Sequence, residues 1–132
     1  GGKNHRFGLH DAVLIKDNHI KAAGGILQAV KKVKKHNGSA MSIEVETTTL
    51  DEVKDAIEAK SDTIMLDNMP LQKIKEAVQL IDGKARIEVS GTVSLANIAD
   101  LSKIGIDCVS VGALTHSSNA ADISMNFISM PP

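Results

Sequence analysis

The feature that most constrains this chain is a regular alternation of short apolar runs with longer amphipathic ones. The apolar runs are Ala12-Val13-Leu14-Ile15, ending at Lys16; Met41-Ser42-Ile43-Glu44-Val45, ending at Glu46; Thr63-Ile64-Met65-Leu66, ending at Asp67; Arg86-Ile87-Glu88-Val89, ending at Ser90; and Cys108-Val109-Ser110-Val111, ending at Gly112. Each is short and rich in aliphatic or β-branched residues, as a buried strand is. Between them lie helical stripes: Ile26, Leu27, Val30 and Val33; Leu50, Val53 and Ile57; Leu71, Ile74, Val78 and Ile81; and Leu95, Ile98 and Leu101. Thr49 with Glu52 forms a capping-box pattern. Pro70 falls in a first turn, and Gly38, Gly83 and Gly105 each follow a helical run, where a left-handed cap calls for Gly. Strands separated by helices cannot pair through tight antiparallel turns, so the order predicts right-handed crossovers and one parallel α/β sheet or barrel. The tail, with Ile123, Met125 and Phe127 alternating, predicts a short strand or extended segment before Pro131-Pro132.

Composition excludes several classes of function. The chain has 132 residues, enough for one core, with 15 basic and 16 acidic side chains and a net charge of −1. It offers no field of one sign for nucleic acid or an anionic membrane. The cluster Lys31, Lys32, Lys34 and Lys35 reads as the solvated face of a helix. Phe7 and Phe127 are the only aromatic residues apart from the histidines, so there is no stacking platform for bases. Cys108 is the single cysteine, read as a small buried hydrophobe, and a reducing, cytoplasmic location is expected. No apolar run reaches the roughly 20 residues that span a bilayer.

In a parallel α/β sheet or barrel the C-terminal strand ends all lie on one side, where ligands bind. Lys16, Glu46, Asp67, Ser90 and Gly112 would therefore share one mouth. A charged residue after a strand can simply begin a loop, but three ionisable groups ending apolar runs on one side point to a cleft that uses them. Ser90-Gly91-Thr92 and Gly112-Ala113-Leu114-Thr115-His116 suit a phosphate, because Gly permits close backbone approach and helix starts offer free N–H groups. Glu46 and Asp67 suit ribose hydroxyls or Mg²⁺, with Asn68 adding a carbonyl or a hydrogen bond. No His/Cys spacing fits a tetrahedral zinc site. At the front, Arg6 and Lys16 are placed to grip carboxylates.

These residues carry a resemblance. Asn4-His5-Arg6-Phe7-Gly8-Leu9-His10-Asp11 followed by Leu14-Ile15-Lys16-Asp17-Asn18-His19-Ile20 resembles the central signature of the quinolinate phosphoribosyltransferases. Ile43 to Glu46, Ile64 to Met69, Glu88 to Gly91 and Ser110 to Ser117 resemble that family's later strands, in order and at sensible spacing. The resemblance implies most of an incomplete, open α/β barrel of the quinolinate phosphoribosyltransferase type, spanning 1–132. It implies transfer of phosphoribosyl from phosphoribosyl pyrophosphate to quinolinate with Mg²⁺, yielding nicotinate mononucleotide, pyrophosphate and carbon dioxide. It assigns His5, Arg6 and Lys16 to the quinolinate carboxylates and Glu46 and Asp67 to the ribose and the metal. Ser90, Gly91, Gly112 and the neighbouring Ala113 and His116 would serve the 5′-phosphate. It also implies a homodimer or higher homo-oligomer.

Two departures stand out. The family's N-terminal domain and its Thr-Arg-Lys block are expected upstream of Gly1-Gly2-Lys3, so the chain reads as a fragment or processed product, inactive by itself. Thr92 stands where many members have Gly. Two other readings remain: a different phosphate-binding barrel enzyme using Lys16 as a Schiff-base amine, and a non-catalytic paralogue or fragment that binds a carboxylate or phosphate ligand.

Overall fold

A computed structural model describes residues 2–37, 40–91 and 93–129. The Gly38 cap, the place of Thr92 in its turn and the terminal Pro131-Pro132 lie outside those residues. Along the chain run β1 (Ala12–Ile15), α1 (Asp17–Ala23), α2 (Ile26–Asn37), β2 (Ser42–Thr47), α3 (Leu50–Glu58), β3 (Thr63–Asp67), α4 (Leu71–Ile81), β4 (Arg86–Ser90), α5 (Ile98–Leu101), β5 (Cys108–Val109) and α6 (Ala113–His116). The strands form one five-stranded sheet in the order β1-β2-β3-β4-β5, and every pairing is parallel. Sequence order and spatial order coincide, as in a section of a βα barrel left open at β1 and β5.

The two faces of the sheet divide the work. Side chains alternate along a strand, and Ile15, Ile43, Val45, Ile64, Leu66, Ile87 and Val89 all turn to the helices. There they meet Ile26, Ala29, Val30, Val53, Ala56, Ile74, Ala77, Ile81 and Leu101 in one core cluster. The intervening positions carry Lys16, Glu44, Glu46, Met65, Asp67, Glu88, Ser90, Cys108 and Ser110 on the other face. Thr47 is a polar residue on the helix side, and its hydroxyl donates to the Met65 carbonyl at 2.9 Å.

Local signals explain most boundaries. The capping box at Thr49 forms in both directions: the Glu52 amide donates to the Thr49 hydroxyl at 3.2 Å, and the Thr49 amide donates to the Glu52 carboxylate at 3.1 Å. Pro70 precedes α4 as its N-cap, one residue before the expected first turn. Gly83 and Gly105 take positive φ of 71° and 81°, but neither is the cap expected of it: α4 is closed by Asp82, itself left-handed at φ of 45°, and α5 by Ser102. Two aspartates tie strand starts together. Asp62, just before β3, accepts from the Ile43 amide at 2.8 Å, and Asp107, just before β5, accepts from the Ile87 amide at 2.7 Å.

Several expectations are corrected. Asp67 and Ser90 are the last residues of β3 and β4, and Glu46 lies inside β2, which runs on to Thr47, so all three belong to their strands rather than follow them. β5 stops at Val109, although the Ser110 amide still donates to the Val89 carbonyl of β4 at 2.9 Å. The helix expected from Ser94 shrinks to Ile98–Leu101; Leu95 lies in the turn before it and is 95% exposed, so it joins no buried stripe. Leu27 and Leu71 sit at the rim of their stripes. The tail forms no strand among its described residues, which leaves the extended-segment alternative, and Ile123, Met125 and Phe127 are all exposed. Lys34 is not merely solvated: its ammonium donates to the Ala59 and Lys60 carbonyls, both at 2.9 Å, and closes the C-terminus of α3. No helix among the described residues is long and apolar enough to cross a membrane.

Candidate active site

The parallel register delivers the strand ends to one edge. Lys16 follows β1 directly and serves as the N-cap of α1, with its amide donating to His19 Nδ1 at 3.0 Å. Its ammonium lies 4.0 Å from Glu46 Oε2 on the neighbouring strand. Burial, and next the charge of Asp67, push the Glu46 carboxyl above its ordinary range against the pull of Lys16. Asp67 is the Cα partner of Ser90. Lys16, Glu46, Asp67 and Ser90 therefore stand at the C-terminal ends of four adjacent strands, with Glu46 level with Met65, beside a cation and one step below a second carboxylate.

The Lys16 side chain is 53% exposed and faces that carboxylate. It lacks the desolvated surroundings a Schiff-base lysine needs. Around Asp67 the backbone is locked. Asn68 adopts positive φ of 52°, its side-chain amide donates to Asp67 Oδ2 at 2.9 Å, and its backbone amide donates to the Ser90 carbonyl at 3.1 Å. Gly91, with φ of 99°, backs onto Asn68; a Cβ there would lie 2.9 Å from the Asn68 amide nitrogen. Only Gly fits this approach between the β3 and β4 ends. Gly112 is the N-cap of α6, Ala113 its first residue, and the His116 ring folds back to within van der Waals distance of a Cβ placed on Gly112. His116 Nδ1 is 2.6 Å from Ser117 Oγ.

His5 and Arg6 reach the same face of the sheet from the irregular segment before β1, which the Asp11 carboxylate braces by accepting from the Phe7 amide at 2.7 Å and the Gly8 amide at 3.2 Å. They do not contact Lys16. Instead His5 Nε2 lies 3.0 Å from Glu44 Oε2 and 3.5 Å from Glu88 Oε1. Glu44 and Glu88 are functional candidates that the sequence reading did not single out, although each stands two residues before a strand-end residue it did. Burial first, then the Glu88 charge, raise the Glu44 carboxyl above its ordinary range, while His5 and Arg6 pull it down. Glu88 accepts from the Ser110 hydroxyl and, at 3.4 Å, from the Cys108 thiol.

This arrangement has known counterparts. The family described as quinolinate phosphoribosyl transferase, C-terminal domain, matches residues 1–126. This chain belongs to that family. The Arabidopsis thaliana protein named nicotinate-nucleotide pyrophosphorylase [carboxylating], chloroplastic, is 48% identical across 95% of this chain and 41% of its own length. A Bacillus subtilis protein named probable nicotinate-nucleotide pyrophosphorylase [carboxylating] is 42% identical across 96% of this chain and 44% of its own length. Among solved structures, NadC from Streptococcus pyogenes superposes with a TM-score of 0.88 at 42% identity, over 96% of this chain and 45% of that one. This quinolinate phosphoribosyltransferase-family chain thus spans less than half the length of these relatives. Its five parallel strands are the open section of the α/β barrel that the family resemblance implied.

Proposed function

We propose that this chain is the barrel portion of an enzyme that transfers phosphoribosyl from phosphoribosyl pyrophosphate to quinolinate, giving nicotinate mononucleotide, pyrophosphate and carbon dioxide in NAD biosynthesis. The observation that carries the reading is the gathering of Lys16, Glu46, Asp67 and Ser90 at the C-terminal ends of four adjacent parallel strands.

Glu46 and Asp67 fit Mg²⁺ by donor chemistry, because the Asp67 charge adds to the cost of ionising the partly buried Glu46 and a divalent cation relieves that cost. When bound there, Mg²⁺ would neutralise charge on the pyrophosphate. The chain's own residues do the rest. Glu46 and Asp67 orient the ribose hydroxyls and stabilise the oxocarbenium-like sugar as pyrophosphate leaves. Ser90, Gly91, Gly112, Ala113 and His116 line the 5′-phosphate end. Lys16, Arg6 and His5 hold the quinolinate carboxylates so that the ring nitrogen lies in line with the anomeric carbon. The quaternised ring then accepts the electrons released as the adjacent carboxylate departs. No covalent nucleophile is needed. The reading carries a homodimer or higher homo-oligomer and a cytoplasmic location, the latter supported by the single free thiol.

The test is release of labelled carbon dioxide from carboxyl-labelled quinolinate, with the chain alone and with the chain joined to the remaining segments of a full-length relative. Release that requires phosphoribosyl pyrophosphate and disappears in Lys16→Ala and Glu46→Ala is expected. No release from folded protein in either setting would move the reading to a non-catalytic ligand-binding relative.

A further inference from the structure

The lower tier of the polar face holds a cluster that the phosphoribosyl-transfer reading does not use as a unit. His5 Nε2, Glu44 Oε2 and Glu88 Oε1 come from the segment before β1, from β2 and from β4, and the donor atoms of the three residues lie within 4.8 Å of one another. We propose that His5, Glu44 and Glu88 form a binding site for a borderline divalent cation such as Zn²⁺ or Co²⁺, separate from the Glu46 and Asp67 pair.

Three observations support the site. The first is spacing. Ligand atoms at about 2.0–2.1 Å from a tetrahedral ion lie about 3.3 Å from each other. His5 Nε2 stands 3.0 Å from Glu44 Oε2 and 3.5 Å from Glu88 Oε1. All three donors lie within 4.8 Å of one another, so seating an ion among them asks at most for the two carboxylates to close on it. The second is charge. The side chains of Glu44 and Glu88 are only 12% and 9% exposed. The two carboxylates share one imidazole with the Arg6 guanidinium nearby, and holding like charges side by side away from water is costly even with cations at hand. A divalent ion with a neutral imidazole brings the three residues to neutrality. The third is an orphaned atom: Glu44 Oε1 is buried and has no hydrogen-bond partner. A carboxylate with one oxygen at the imidazole and the other unsatisfied is poised to take a cation in one-pronged or two-pronged fashion.

The donor set selects the class of ion. One imidazole with two carboxylates suits zinc and its neighbours better than Mg²⁺, which prefers oxygen alone. The three protein ligands leave a fourth position open, and the His5 side chain, 31% exposed, lies on the accessible side. Ser110 and Cys108 donate to Glu88 and fix its carboxylate, the supporting role that outer partners play around metal ligands.

The experiment is calorimetric titration of the folded chain with Zn²⁺ in the presence of excess Mg²⁺, with Co²⁺ absorption in the visible as a second readout of low coordination number. One ion per chain is expected. His5→Ala should lose it, and that variant should fold because His5 lies outside the regular elements. Glu44→Gln and Glu88→Gln, which keep side-chain volume, should lose it as well. Glu46→Gln should keep it. Absence of binding by folded protein would overturn the proposal. So would binding undiminished in the His5→Ala and Glu44→Gln double variant, or binding lost through Glu46→Gln. His5 is shared with the quinolinate-binding reading, but none of these readouts is turnover or quinolinate binding, so the site and the transferase reading fail separately.

Discussion

Cys108 shows how one position on the polar face answers to its surroundings. Burial comes first, then the Glu88 charge, and together they push its thiol from 9.0 up to about 11. Two units correspond to about a hundredfold less thiolate at mildly alkaline pH, and the thiolate is the reactive form. Alkylation of native protein by iodoacetamide should therefore run about a hundredfold slower than that of an ordinary thiol at the same pH. Glu88→Gln should speed it; an unchanged rate in that variant would mean that access, not charge, protects the thiol. The sequence reading of Cys108 as a small buried hydrophobe is corrected: it lies in a strand but is only half-buried, and its thiol donates to the Glu88 carboxylate on the polar face. Lys16, Glu46 and Asp67 were legible because each terminates an apolar run, where a charge stands out. Glu44 and Glu88 were not, because a charge inside an alternating run reads as the solvated side of a strand. Here that side carries its own buried ion-pair network, closed by His5 from almost forty positions upstream of the first of them.

At the scale of elements, reciprocal capping does what the sequence pattern promised. Glu52 serves both the Thr49 amide and, at 2.7 Å, the Thr48 amide, so the entry to α3 rests on a pair of side chains. Thr49→Ala should cost about 1 kcal/mol of stability, read from the urea unfolding midpoint. A loss near zero would mean that Glu52 holds the turn without its partner. Strands β1 to β4 and helices α2 to α4 were legible because hydrophobic period and cap chemistry agree in each. Helix α1 was missed: Asp17, Asn18 and His19 read as a polar loop, and the helix presents no fully buried residue. It forms after the β1 turn and stops where Gly24 turns left-handed at φ of 90°. The stripe through Leu95 failed for the opposite reason. Its apolar spacing was helical, but a turn through 95–97 withdraws Leu95 from the core.

For the whole molecule, the site and the fold pull against each other. The Glu46 carboxyl is raised above its ordinary 4.5, chiefly by burial. Between that ordinary value and the raised native one, the folded chain holds a proton that the unfolded chain releases. Stability contributed at this position is therefore present below 4.5 and declines as pH rises through the native value. Glu46→Gln should unfold at a higher temperature than the parent near neutral pH, and the gap should close on acidification below 4.5. A gap that persists in acid would point to packing instead. Sheet order, parallel pairing and the common edge of the ligand groups were legible because βα repetition dictates them. The depth to which polar side chains run below that edge was not, since it depends on which segments lie over the sheet. The split between the two faces also bears on how such a protein can change over generations. Residues that fix the architecture and the candidate site residues sit at alternating positions of the same strands. Substitutions two apart can therefore rewrite ligand preference on one side while the aliphatic layer against the helices stays intact. A lineage can drift toward new substrates along Glu44, Glu46, Met65, Asp67, Glu88 and Ser90 without renegotiating its scaffold, whereas a single inserted residue within a strand would exchange the two sets and forfeit both.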